Sequence, residues 1–192
     1  MTKAKSKVFR EIYIEGQQFK DVLAKRAAWE EVARMYNGSF KTIKTVSADL
    51  MTLMLEIEYK DHQLVFRETD RQALRVEVWV HVPSHNEFFI SLRDWTDKLA
   101  AILGRRGVRT GLAEFDAKYS INSKEPDFVM ELLNNGLLAE KIVATDVYSV
   151  ILEYDNRTQR HRLVTVKDRT TESVEELKEL IDLTCMMVDQ LI

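Results

Sequence analysis

Arginine is the residue most visibly grouped in this 192-residue chain. The stretch "GRRGVRTG" (104–111) holds Arg105, Arg106 and Arg109 in a glycine-rich connector. A second group, Arg157, Arg160, His161 and Arg162, falls at the turn of a predicted hairpin. Guanidinium forks match the planar oxygens of carboxylate and phosphate, so the arginines of both groups are the candidate anion-binding residues. The competing reading is that both are solvated loops balancing an acidic surface. The glycine stretch lacks Gly-Lys-Ser/Thr and leads into a predicted strand, so it is neither a P-loop nor a dinucleotide fingerprint.

Other chemistries find less support. His81 and His85 are four apart, a spacing that serves a metal on a helix, but Pro83 lies between them at a strand end. No metal site is expected. Cys185 is the single cysteine, set in the apolar "LTCMMV", where burial would raise its pKa and leave it inert. No Gly-x-Ser-x-Gly elbow is present, and Ser84-His85 has no orienting partner nearby. Glu125 and Asp127 flank Pro126 at a helix start, where the helix dipole is reason enough for both. No catalytic residue, cofactor or enzymatic activity is expected.

The elements that must position these residues follow from hydrophobic period. Gln17 to Tyr36 reads as a helix closed by Asn37-Gly38. The period then becomes two in "SFKTIKTV" (39–46), "LMLEIEY" (53–59), "HQLVFRET" (62–69) and "LRVEVWVHV" (74–82). "EFFISL" (87–92) is expected to continue this antiparallel meander as its fifth strand. "RDWTDKLAAIL" (93–103) reads as a short helix and "LAEFDAKYSIN" (112–122) as a strand. A helix then starts at Pro126 and stops at Asn135-Gly136. "VYSVILEY" (147–154) and "HRLVTVKD" (161–168) form another strand pair. The last element is an amphipathic helix, with Ser173 and Glu176 at capping-box spacing. These elements predict one α+β domain over 1–192. Its largely antiparallel sheet is packed by long N-terminal and C-terminal helices, and residues 1–7 are expected to be disordered.

Two segments echo one another. "LMLEIEYKDHQLVFRETD" (53–70) and "VILEYDNRTQRHRLVTVKD" (150–168) both run strand, Glu, Tyr, turn, His-x-Leu-Val and a charged end. One explanation is a duplicated unit with halves 17–103 and 104–192. The other is that amphipathic hairpins look alike.

Composition bounds the role. A charged fraction of 31% and hydrophobic fraction of 45% belong to a globular chain. The net charge of −3 offers no global attraction to nucleic acid or anionic membrane, so a nucleic-acid partner is not expected. "MTKAKSKVFR" has no apolar h-region behind it, and no apolar run reaches the length of a membrane span. With one cysteine and no such signals, the expected location is the cytoplasm.

The order of Trp29, Ala33, Gly38, paired β segments, Phe115-Asp116, Tyr119, Ser123, Glu125-Pro126 and Leu132-Leu133 resembles a loose group of uncharacterised bacterial proteins. The similarity covers most of residues 25–192. Many of that group look membrane-anchored through a hydrophobic N-terminal segment, which this sequence does not show. The resemblance implies no activity. The reading that remains is a non-enzymatic module that binds a protein partner or a second copy of itself. The alternative is an anion-binding domain for nucleotide, RNA or phospholipid headgroup that uses the two arginine groups.

Overall fold

The structure, a computed structural model, describes residues 25–45, 50–82, 86–93, 108–134, 136–167 and 173–192. Its centre is one eight-stranded antiparallel sheet. Strands β1 (Ser39–Thr45), β2 (Leu50–Tyr59), β3 (His62–Thr69) and β4 (Leu74–Val80) form the expected meander. The β2–β3 reversal is tight, pairing Tyr59 with His62 across Lys60-Asp61, and Lys60 takes a φ of 51° to make it.

The fifth strand does not continue that meander. β5 (Phe88–Leu92) lies between β6 (Tyr119–Ser123) and β7 (Ser149–Asp155), and β8 (Arg160–Lys167) joins β7 to β4. The physical reason lies in β7 and β8. Val150, Ile151 and Leu152 are buried in succession, as are Leu163, Val164 and Thr165. Strands apolar on both faces belong in the middle of a sheet, so this hairpin takes the centre and displaces β5 outward.

Five helices are described: α1 (Arg26–Met35), α2 (Ala113–Lys118), α3 (Pro126–Leu133), α4 (Leu137–Thr145) and α5 (Val174–Leu191). Each touches the same face of the sheet. Trp29 of α1 meets Phe40, Phe115 of α2 meets Tyr119, Phe128 of α3 meets Phe88, and α5 packs along α1 and α4 and over β4. Alternate strand residues such as Leu53, Leu55, Leu64, Phe66, Val76 and Val78 point into this core and are buried. The helix expected from Gln17 is described from Arg26, and residues 17–24 lie outside the described residues, as does 94–103.

Local chemistry explains where these helices begin and end. Asn37, at φ 51°, follows α1, and the Gly38 N–H donates to Ala33 O at 2.7 Å, a left-handed C-terminal closure. A side chain on Gly38 would stand 2.7 Å from Glu56 O, so this position is glycine by close approach. At α5 the Ser173 hydroxyl accepts from Glu176 N at 3.1 Å, and the Glu176 carboxylate accepts from Ser173 N at 3.4 Å, so the capping box is formed.

The segment 112–122 departs from its predicted strand. Residues 113–118 are helical and only Tyr119–Ser123 is strand. Asp116 decides this. Its carboxylate accepts from Thr110 N at 2.9 Å, Thr110 Oγ1 at 3.0 Å and Gly111 N at 3.0 Å, folding the incoming chain over the helical turn. Phe115 and Tyr119, four apart, then stack at 5.2 Å. The helix at Pro126 is present. However, Gly136 (φ 73°) separates two helices and does not close the helical region, since α4 follows it with Leu138, Ala139, Ile142 and Thr145 buried.

Several polar groups sit inside. Lys25 and Glu68 form an ion pair, with side chains 4% and 3% exposed, that ties the start of α1 to the end of β3. Lys167 Nζ donates to Thr145 O at 3.1 Å, and the Tyr119 hydroxyl donates to Val147 O at 2.8 Å and Ile142 O at 3.3 Å. The echoing hairpins β2–β3 and β7–β8 flank β4 and carry His62 and His161 on the helix side. In lateral order β3 and β8 are the strands beside β4, with β2 and β7 outside them.

Candidate functional site

The second face of the sheet bears none of the five described helices. On β7 and β8 its centre is nevertheless buried, at Ser149, Ile151 and Val164. The accessible part belongs to β1–β4, where Ile43 and Trp79 are 44% and 36% exposed.

Register brings the apolar side chains of this region into line. Ile43 is opposite Thr52, two residues from Met54 on β2. Met54 is opposite Arg67, two from Val65 on β3, and Val65 is opposite Glu77, two from Trp79 on β4. Each step moves one strand across and two residues along, with side chains on one face. Ile43, Met54, Val65 and Trp79 therefore form a diagonal stripe. At a strand spacing near 4.8 Å and a rise near 3.3 Å per residue, each step is about 8 Å and the stripe roughly 24 Å long.

Charged residues flank it. Lys41 Nζ meets Glu56 Oε2 at 3.1 Å on one side. On the other, Arg75 Nε contacts Glu77 Oε1 at 3.1 Å. Arg162 reaches Glu77 Oε2 at 4.0 Å and forms a closer pair with Glu153. Arg67 lies directly opposite Arg75 on the neighbouring strand. The surface is thus an apolar strip between mostly paired charges.

The arginines expected from sequence are not gathered in one place. Arg105 and Arg106 lie outside the described residues. Arg109 is exposed beside α2 and donates to Asp116 O at 3.3 Å. This is the end of the sheet where β6 begins, whereas Arg157 and Arg160 sit at the opposite end, on the β7–β8 turn. Asp155 ends β7 at that turn. It is held below the usual carboxylate range, chiefly because it accepts the Arg157 backbone N–H at 2.9 Å. Arg162 faces the second side of the sheet and is ion-paired to Glu153 and Glu77.

Cys185 is half-buried, and burial, with Asp182 and Asp189 nearby, pushes its thiol up to about 11. His161 is buried against the Tyr154 ring at 5.0 Å, and His62 Nδ1 lies 3.0 Å from Trp79 O. His81 follows β4 and is exposed, and His85 lies outside the described residues. Among the described residues no group of three or more His, Cys, Asp or Glu is placed to hold a metal ion.

The fold resembles that of TtfA. The crystal structure of this mycobacterial trehalose monomycolate transport factor A aligns with a TM-score of 0.54 and 10% sequence identity, over 90% of this chain and 96% of that one. At that identity the likeness speaks for the fold alone. No protein-family model matches the sequence. No curated protein matches it either. The α+β architecture with one antiparallel sheet thus has a solved counterpart. None of the described helices is long and apolar enough to cross a membrane.

The stripe was not visible in the sequence. Each of its four residues comes from a different strand, and none is unusual in its own. The usable signal was Trp79, an aromatic on the polar side of an alternating strand.

Proposed function

We propose that this protein is a non-enzymatic binding module that takes a protein partner along the Ile43–Met54–Val65–Trp79 stripe. The observation that carries the reading is the exposure of Ile43 and Trp79 at the two ends of an apolar diagonal on a helix-free sheet face. A buried aromatic anchor surrounded by a polar rim is the usual energetic centre of an interface, and Trp79 with its charged neighbours supplies those parts. The stripe matches an amphipathic helix of about sixteen residues at 1.5 Å per residue. A second copy of this chain, stripe against stripe, is the homodimeric form of the same reading. We place the module in the cytoplasm, in keeping with its single cysteine. TtfA is named as a transport factor for trehalose monomycolate; a binding role is in keeping with that name, and its lipid is not carried across.

Sedimentation analysis together with capture from cell lysate tests the proposal. We expect either a dimer or a retained protein, lost on Trp79→Glu with the urea midpoint unchanged. A strict monomer that retains nothing counts against it. The alternative reading, an anion-binding domain using the arginines of 105–109 and 157–162, is favoured by the exposure of Arg157 and Arg160. It expects salt-dependent binding that is lost on Arg157→Gln plus Arg160→Gln.

A further inference from the structure

Arg67 differs from the neighbouring cations Lys41, Arg75 and Arg162 of the second face. Lys41 has Glu56, Arg75 has Glu77, and Arg162 has Glu77 and Glu153. No carboxylate among the described residues pairs with Arg67. Its Nε is shielded from solvent and donates to no oxygen of the described residues. A buried donor left unmatched is costly, and native folds seldom keep one without a reason.

Its neighbour makes the position more unusual. Arg67 and Arg75 are directly opposite in the β3–β4 register, on the same face. Cross-strand partners hold their Cβ atoms about 5 Å apart, and like charges so placed repel. Among the described residues no acceptor meets the shielded Nε, although a second guanidinium stands beside it.

We propose that Arg67 and Arg75 form a binding site for a single oxyanion, a carboxylate or a phosphate group. Two adjacent guanidiniums offer parallel N–H donors to such a group, and Arg67 Nε gains the acceptor that no described residue supplies. The site is separate from the arginines of 105–109 and 157–162. It does not depend on the apolar stripe being an interface, although an acidic side chain of a docked partner would reach it beside Met54.

The test follows the Arg67 Nε–Hε resonance by NMR in the full chain. Inorganic phosphate is titrated in one arm and acetate in another, each against chloride at equal ionic strength. The expected result is a saturable shift at Arg67, weakened at least ~10-fold by Arg75→Gln and unaffected by Arg160→Gln. A response to phosphate alone assigns the site to phosphate groups, and a response to acetate assigns it to carboxylates. Arg67→Gln, read through the resonances of Met54 and Val65, abolishes the response while its urea midpoint stays at or above that of the wild type. Two results overturn the proposal. One is an Arg67 signal that moves no more with either anion than with chloride. The other is a response that survives Arg75→Gln unchanged.

Discussion

Lys25→Met exposes how much of the attachment of α1 rests on one buried ion pair. Lys25 and Glu68 are in direct contact with both side chains almost wholly buried, so removing the ammonium leaves a carboxylate in the core. At a separation near 3 Å and an effective dielectric of about 20, the attraction alone is roughly 5 kcal/mol. Part of that is cancelled by desolvation, and deleting one partner of a buried pair costs about 3–5 kcal/mol. With a urea dependence of roughly 2–3 kcal/mol per molar, the unfolding midpoint should fall by about 1–2 M. The companion variant Lys25→Met/Glu68→Gln removes both charges and should recover more than half of the loss. Urea unfolding followed by circular dichroism and by tryptophan fluorescence measures all four corners of the cycle. Costs that simply add, or a Lys25→Met midpoint within about 0.3 M of wild type, would refute the reasoning.

Three further outcomes follow from groups elsewhere. Tyr119→Phe leaves the Val147 carbonyl without its 2.8 Å donor and should cost about 1–2 kcal/mol in the same assay. Burial, and secondarily Asp146, holds the Tyr119 phenol above its ordinary value. Its stabilising share is therefore complete below about pH 10 and is lost as pH rises through the higher folded value, which ultraviolet titration of the native protein against Tyr119→Phe reads directly. Cys185, pushed up to about 11, should react with a disulfide reagent at pH 8 some ~100-fold more slowly in the native chain than in urea. Equal rates would contradict that. Ser173→Ala should cost about 1 kcal/mol by opening the capping box, and Ser173→Asp should restore most of it.

Much of this architecture could be read from local signals. The hairpins β2–β3 and β7–β8 announce themselves by alternation, and α5 by Ser173 and Glu176 at its start. Two segments misled for identifiable reasons. Phe115, Ala117 and Tyr119 satisfy a period of two, yet Phe115 and Tyr119 also satisfy a period of four. The choice fell to Asp116 capturing the backbone of Thr110 and Gly111. Asn135-Gly136 carries the sequence chemistry of a helix end; α3 ends at Leu133, but a second helix starts at Leu137. Strand order is another matter. That β8 and not β5 lies beside β4 depends on burial of both faces of β7 and β8, a property of the assembled sheet.

The candidate site was hidden for the same reason. Ile43, Met54, Val65 and Trp79 are spread over thirty-seven positions, and only the registers β1–β2, β2–β3 and β3–β4 align them. Arg67 and Arg75 are likewise unremarked in sequence, because neither belongs to an arginine run. The runs themselves occupy places of another kind: Arg162 is absorbed by Glu153 and Glu77, and Arg109 lies a strand's length from Arg157. Clustering along the chain and clustering in space are different properties in a sheet protein, since neighbours across strands are set by pairing.

The central claim is that the stripe on β1–β4 meets a protein partner. The most direct measurement places a photo-activated crosslinking residue at position 79 in the living cell, with a control at Leu137, which is 62% exposed on α4. The account predicts one defined adduct, to another protein or to a second copy of this chain, formed from position 79 and not from 137. It also predicts that Ile43→Glu, at the far end of the stripe, abolishes that adduct. No adduct at position 79, or the same products from both positions, would contradict it.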